Sequence, residues 1–391
     1  MPRTRDEFST EARIYDRIWE PMTTTPTQSS WQTYFRSIVA TASSTLDVEP
    51  EIARGLPDKS EDKITARWSA PRKSFKLCKV CLMDGENLHL VSFRDLRGNE
   101  LTEMVDKGIE VKHNAAEYRT ALEGKSSALI FQKTSTRTRV SFEVAMTQLG
   151  GHALFIDWRT TNFALADISD ETQYLSRNVD CIMARMMKNA DLRKMVDASL
   201  VPVINGCDEK YHPSQAIADL ITVKEKKGYL KGAKLVYIGI HNNVCNSLIE
   251  GCTKTGVKIT TVTPIFNEPA RDEELLQEAK KTGLWETTLD VKKAVKDADF
   301  VYTDTWVDME SFSDPRFASE KDKRVKLMMP YQISMELLKG SNAFIMHDMP
   351  IHRGYEISAD IINSPKSVIY EQGENRLYSA KSILLKLLQK Y

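Results

Sequence analysis

Little in this sequence is one-sided. Lys and Arg together number 54 and Asp and Glu also number 54, so the formal net charge is zero. A balanced chain lacks the broad basic field by which a nucleic-acid binder holds a phosphate backbone, so no nucleic-acid partner is expected. No apolar run approaches the ~20 residues needed to cross a bilayer, so no membrane role is expected. The opening residues, Met1 to Glu20, lack an apolar signal core. They mix Arg3 and Arg5 with Asp6, Glu7, Glu11 and Asp16, against both a secretory signal and a transit peptide, so the expected compartment is the cytoplasm. Cysteine is sparse: Cys78, Cys81, Cys181, Cys207, Cys245 and Cys252 are scattered and read as reduced thiols. Cys78-Lys-Val-Cys81 has no second ligand pair at a zinc-site spacing, so no metal is expected. A GxGxxG turn is also missing, which counts against a dinucleotide enzyme. No cofactor is expected.

What is present is a globular composition, 41% hydrophobic and 28% charged over 391 residues, enough for two domains and a substantial core. Residues 1–87 form an extension without recognisable chemistry: Thr23 to Ser30 reads as loop and Ser60 to Arg72 is charged. From Leu88 onward strands and helices alternate. Apolar runs at Ser127 to Ile130, His152 to Asp157, Cys181 to Ala184 and Val201 to Ile204 read as strands. A second series begins at Lys234 to Gly239 and continues with Lys258 to Val262, Phe300 to Thr303 and Ala343 to Met346. Helices are expected over Asn99 to His113, Val140 to Leu149, Ala216 to Lys227, Asp272 to Thr282, near Gln332 to Leu338, and over Ser379 to Gln389. Strands alternating with helices imply parallel sheets. The expected fold is α/β: two doubly wound parallel-sheet domains with a cleft between them, plus the N-terminal extension. The expected boundaries are 88–222, completed by the C-terminal helix 377–391, and 223–376.

Chemistry is expected at the turn after the first strand, Gln132-Lys-Thr-Ser-Thr-Arg-Thr-Arg139. Ser135, Thr136, Arg137 and Thr138 stand where a helix begins, so free backbone N–H groups, hydroxyls and a planar guanidinium point at one place, which suits a phosphate. The competing reading is an ordinary N-cap followed by solvated arginines. Ligands of parallel sheets gather at strand C-termini. Arg185 follows one strand, as a second phosphate partner or a surface charge. His212-Pro-Ser-Gln215 precedes a helix, and both His212 and Gln215 can donate to a carbonyl oxygen, although a loop histidine alone is more often structural. Asn243 lies in a polar turn after the first strand of the second series, Asp304 and Asp308 follow another strand, and His347-Asp-Met-Pro350 ends a third. Loop acids alone read as solvated. Arg376 stands just before the last helix.

These pieces, in this order, resemble the aspartate/ornithine carbamoyltransferase superfamily from about Leu88 to Tyr391. The matches are Ser135-Thr-Arg-Thr138, Arg185, His212-Pro-Ser-Gln215, Asn243, Thr303-Asp-Thr-Trp306 and Glu374-Asn-Arg376. Leu88 to Leu96 is similar to the opening of the ornithine branch. The resemblance implies a carbamoyltransferase in which Ser135, Thr136, Arg137, Thr138, Arg185, His212, Gln215 and Arg376 bind carbamoyl phosphate. Arg137, Arg185, His212, Gln215 and Asp348 would be the catalytic set, with Asp348 a candidate proton acceptor. Asn243, Asp304, Asp308, Met309, Asp348 and Met349 would face the amine. A homotrimer is implied by resemblance alone.

Three departures concern the acceptor. Asp308 and Glu310 stand where ornithine enzymes carry serine and glycine, Asp348 stands where they carry cysteine, and Thr161 to Asp167 lacks their usual glycine and Glu-Ser pattern. Added carboxylates lead to the expectation of an acceptor more cationic than ornithine, such as a diamine, agmatine or another basic amino acid. The alternatives are an ordinary ornithine carbamoyltransferase, and a catalytically silent carbamoyl-phosphate-binding or regulatory homologue.

Overall fold

The structure, a computed structural model, describes residues 89–94, 96–307 and 315–389. Asp308, Met309 and Glu310, the Cys78–Cys81 pair and residues 1–87 therefore lie outside the described residues.

Two parallel sheets organise the chain. The first contains β1 (Ser126–Phe131), β2 (His152–Asp157), β3 (Cys181–Arg185) and β4 (Val203–Cys207) in the order β2-β1-β3-β4. The second contains β5 (Lys234–His241), β6 (Lys258–Phe266), β7 (Trp285–Thr287), β8 (Phe300–Thr303) and β9 (Phe344–His347) in the order β7-β6-β5-β8-β9. Every pairing is parallel. Each order reverses beside the first strand of its series, between β1 and β3 and between β5 and β8. Those reversals leave crevices at the strand C-termini, where ligands of such sheets bind.

The helices are α1 (Gly98–His113), α2 (Arg137–Gln148), α3 (Ile168–Leu175), α4 (Asn189–Ala198), α5 (Pro213–Lys227), α6 (Asn243–Thr255), α7 (Glu273–Thr282), α8 (Val291–Val295), α9 (Ala318–Met328) and α10 (Ile369–Gln389). Local chemistry sets several of their ends. Pro213 fills the first turn of α5, where a missing N–H costs nothing, and Gly228 ends the helix at φ 81°. The Asn242 side chain caps α6 by accepting from the Cys245 N–H. Asp272 caps α7 through the Leu275 N–H in the same way.

One apolar cluster joins the two sheets. It contains Leu129, Met183 and Ile204 of the first, Leu235, Tyr237, Phe300 and Tyr302 of the second, and Ile383 and Leu384 of α10. The last helix packs against α5, α2 and α1, so the end of the chain closes on its first sheet. Among the described residues no helix is long and apolar enough to cross a membrane.

Two expected elements differ. Where a helix was expected near Gln332 to Leu338, Ile333 bridges Ile357 and residues 335–340 form turns. The last helix begins at Ile369, not Ser379, so Arg376 lies inside it. Gly373 and its charged neighbours give that stretch the look of a loop. Gln372, Asn375 and Arg376 are nevertheless buried, because they face polar partners on neighbouring elements.

Candidate active site

The turn after β1 enters α2 with no side-chain cap: Thr136 is its N-cap residue and makes no capping hydrogen bond. The first N–H groups of α2 thus remain available to an anion, at the positive end of the helix dipole. The turn is tied to the neighbouring strand. The Gln132 N–H donates to the Arg185 carbonyl at 2.9 Å, and the Met187 N–H donates to Gln132 Oε1 at 2.7 Å. Beside the turn lies a cavity of about 730 Å³ whose walls include Lys133, Ser135, Thr136, Arg139 and Phe155.

Thr138, one residue into α2, is buried and collects two arginines. Arg376 Nη2 donates to Thr138 Oγ1 at 2.7 Å, and Arg185 Nη1 lies 3.5 Å from the same oxygen. Arg376 Nη1 donates to Gln215 Oε1 and stands 3.5 Å from Asp348 Oδ1. Residues distant in sequence, from β3, α2, α5, α10 and the loop after β9, therefore converge. Arg185 Nε is buried without a hydrogen-bond partner. A buried donor with no protein partner beside a cationic turn suits an anion.

His212 is the N-cap residue of α5 and is almost fully buried. Its backbone N–H donates to Ser247 Oγ at 2.8 Å, which ties it to α6. Burial, with Arg376, Arg185, Lys133 and Arg137 around it, holds its pKa well below the usual 6.5. The ring is thus neutral at neutral pH. A neutral imidazole among guanidinium groups can donate one hydrogen bond to a carbonyl oxygen without itself titrating.

The opposite wall comes from the second sheet. Asp304 follows β8 and accepts from Asn242 Nδ2 at 2.7 Å and from the Thr305 N–H at 2.7 Å. Burial pushes its pKa well up, and Asp348 adds to the rise. Asn243 turns toward the first lobe: its Nδ2 donates to the Asp208 carbonyl at 2.6 Å and lies 3.1 Å from Cys207 Sγ. Asp348 and Met349 sit on a loop held from behind. The Met349 N–H donates to His347 Nδ1 at 2.8 Å, and His347 Nε2 lies 3.1 Å from the buried Glu356. With Nδ1 accepting, the ring proton of neutral His347 is on Nε2 and is donated to Glu356. Met349 has φ 64°, a strained conformation for a side chain of its size, which this backing holds.

The structure thus brings Thr138, Arg185, His212, Gln215, Asp348 and Arg376 together and sets Ser135, Thr136 and Arg137 at the helix start beside them. Asp219 and Gln372 were absent from the sequence reading. Asp219 and Gln372 were each signalled by spacing: Asp219 is one helical turn beyond Gln215, and Gln372 one turn before Arg376. Both are polar residues on faces that pack inward.

Two family models match the chain. Residues 88–225 match the carbamoyl-P binding domain of aspartate/ornithine carbamoyltransferase, and residues 231–387 match its Asp/Orn binding domain. The ornithine carbamoyltransferase of Pyrococcus horikoshii is 44% identical over 275 residues, covering 68% of this chain and 84% of that protein. That of Archaeoglobus fulgidus is 41% identical over 308 residues, covering 77% and 98%. The solved ornithine carbamoyltransferase of Pyrococcus furiosus superposes with a TM-score of 0.71 at 38% identity, covering 78% of this chain and 98% of that one. Sequence, sheet order and the gathered arginines agree: the chain is a carbamoyltransferase and belongs to the aspartate/ornithine carbamoyltransferase family, on its ornithine branch.

Proposed function

We propose that this protein transfers the carbamoyl group of carbamoyl phosphate to the side-chain amine of ornithine, releasing citrulline and phosphate. The observation that carries the reading is the convergence of Arg376 and Arg185 on Thr138 at the uncapped start of α2, with neutral His212 alongside. In this reading the N–H groups at the helix start, Ser135, Thr136, Arg137, Thr138 and Arg185 hold the phosphate, with Arg376 adding positive charge. His212, Arg137 and Thr138 donate to the carbonyl oxygen as the amine attacks. Negative charge developing on that oxygen and on the leaving phosphate meets donors already in place. Holding both substrates in line supplies much of the remaining acceleration. Asp348, beside Arg376 at the edge of the second wall, receives the proton that the attacking nitrogen loses. The proposed amine wall is Asn243, Asp304, Asp308, Met309, Asp348 and Met349, and a homotrimer remains the expectation from resemblance.

Ornithine is preferred as the acceptor because relatives at 38–44% identity are named for it. A more cationic acceptor rests only on the substitutions at Asp308, Glu310 and Asp348, whereas the relatives reported above are named for ornithine. The test is a product screen. Carbamoyl phosphate is offered with ornithine, agmatine, putrescine and lysine, and the ureido product is identified by mass. Citrulline as the main product supports the reading, whereas turnover of a diamine in preference to ornithine rejects it.

A further inference from the structure

The face of α5 that carries Gln215 is buried along its length, and among its apolar residues stands one acid, Asp219, with no exposed surface. Its carboxylate collects donors from three elements. Oδ1 accepts from Gln215 Nε2 at 2.8 Å and from Gln372 Nε2 at 2.7 Å, and Oδ2 accepts from the Tyr302 hydroxyl at 3.2 Å. Gln215 and Asp219 share α5, Tyr302 lies on β8 of the second sheet, and Gln372 lies on α10.

A single oxygen that accepts from two amides has a directional consequence. Each glutamine must turn its NH₂ toward Asp219, so each carbonyl points away from it. For Gln215, that carbonyl meets Arg376 Nη1, whose other nitrogen donates to Thr138. For Gln372, the carbonyl accepts from the His347 N–H at 2.8 Å, at the root of the loop that carries Asp348 and Met349. With either amide flipped, two donors would face each other across the Gln215–Arg376 contact or the Gln372–His347 contact.

We propose that Asp219 is a positioning residue for carbamoyl transfer: by fixing the amide orientation of Gln215 and Gln372, one buried carboxylate sets both the phosphate side and the acceptor loop. The inference rests on the site reading given above. The requirement is for one oxygen that accepts twice, not for a charge. Burial, with Asp348 adding, raises the carboxyl pKa to about 7, so Asp219 does not depend on full ionisation for this role. Asparagine meets the requirement, because its Oδ1 takes both amides while its NH₂ donates to the Tyr302 oxygen.

The test compares Asp219→Asn, Asp219→Leu and Gln372→Met in the full chain. Calorimetry gives the Kd of carbamoyl phosphate and steady-state kinetics the KM for ornithine. The asparagine variant is expected to stay within about threefold of wild type in both constants. The leucine variant is expected to weaken both by about tenfold or more, the loss of an oriented hydrogen bond at each side. Gln372→Met cuts only the acceptor arm, so it raises the ornithine KM by about tenfold and leaves the Kd within about threefold. If the leucine variant does not fold, Asp219→Ser takes its place, since its oxygen is too short to serve both amides. Asparagine as damaging as leucine overturns the proposal, and so does leucine or serine without effect on either constant, or Gln372→Met weakening carbamoyl phosphate as much as ornithine. Failure to turn over ornithine rejects the proposed acceptor only. Asp219 is then judged on the carbamoyl phosphate Kd, which the leucine or serine variant must weaken and Gln372→Met must not.

Discussion

His212 shows how one residue's surroundings select its chemistry. A solvated histidine titrates near 6.5, where it would lose its neutral form in mild acid. Here burial and the surrounding cations depress the folded pKa well below that value. The imidazole therefore stays a neutral donor, and no ionisation of His212 appears in kcat/KM between about pH 6 and about 8. An acidic limb centred near 6.5 that disappears in a His212 variant would contradict this. The same depression has a stability consequence of definite sign. Below about 6.5 the unfolded chain takes up a proton that the folded chain does not, so stability is lost as pH falls through that value. Arg376 gives a second prediction. Its planar fork spans Thr138 and Gln215, a geometry lysine cannot reproduce. Arg376→Lys should raise the Kd of carbamoyl phosphate by about 10- to 100-fold, the loss of one or two charge-assisted hydrogen bonds. An unchanged Kd in calorimetry would remove Arg376 from the phosphate site.

At the scale of elements, strands were easier to read than helix ends. Apolar runs such as Phe300 to Thr303 are buried on both faces, and their positions followed from composition alone. The α5 boundary was misplaced by a few residues because Pro213, Ser214 and Gln215 look like turn residues, yet they are the first turn of the helix. The start of α10 was missed for a related reason. Gln372, Asn375 and Arg376 serve a buried network, so their polarity gave the wrong sign for helix burial. The turn after β1 could be singled out as a candidate from the sequence because its residues are contiguous. The side chains proposed to face the amine come from α6, the loop after β8 and the loop after β9, and periodicity says nothing about which strand ends become neighbours. Helix α6 carries a testable feature of its own. Glu250 on α6 accepts from the Phe93 N–H at 2.9 Å, and burial raises its pKa from 4.5 to about 7. A raised folded pKa on an acid means that stability falls as pH rises from about 4.5 to about 7. Glu250→Gln keeps an acceptor for Phe93 and removes that dependence. Its melting temperature should gain on wild type across this window and run parallel to it above, and a constant difference from acid to neutral pH would contradict the assignment.

At the scale of the molecule, the two sheets share one apolar cluster, and their switch points supply the two walls of one site. The cations concentrate at the first wall and the carboxylates at the second, which matches an anionic donor facing an amine acceptor. A ligand that binds the folded state alone stabilises it by mass action. Carbamoyl phosphate at about 100 times its Kd should therefore raise the unfolding free energy by about 2.7 kcal/mol, visible as an upward shift of the melting temperature. No shift would favour a homologue that has lost the donor site. The central claim, that the gathered arginines and neutral His212 serve transfer of a carbamoyl group to ornithine, is tested most directly by product identification. The purified full chain is incubated with carbamoyl phosphate and ornithine, and the product is identified by mass spectrometry alongside released phosphate. The account predicts citrulline and phosphate in equal amounts, reduced together in Arg376→Lys at carbamoyl phosphate concentrations below its raised Kd. Phosphate release without citrulline, or a ureido product from another amine in preference, would contradict it.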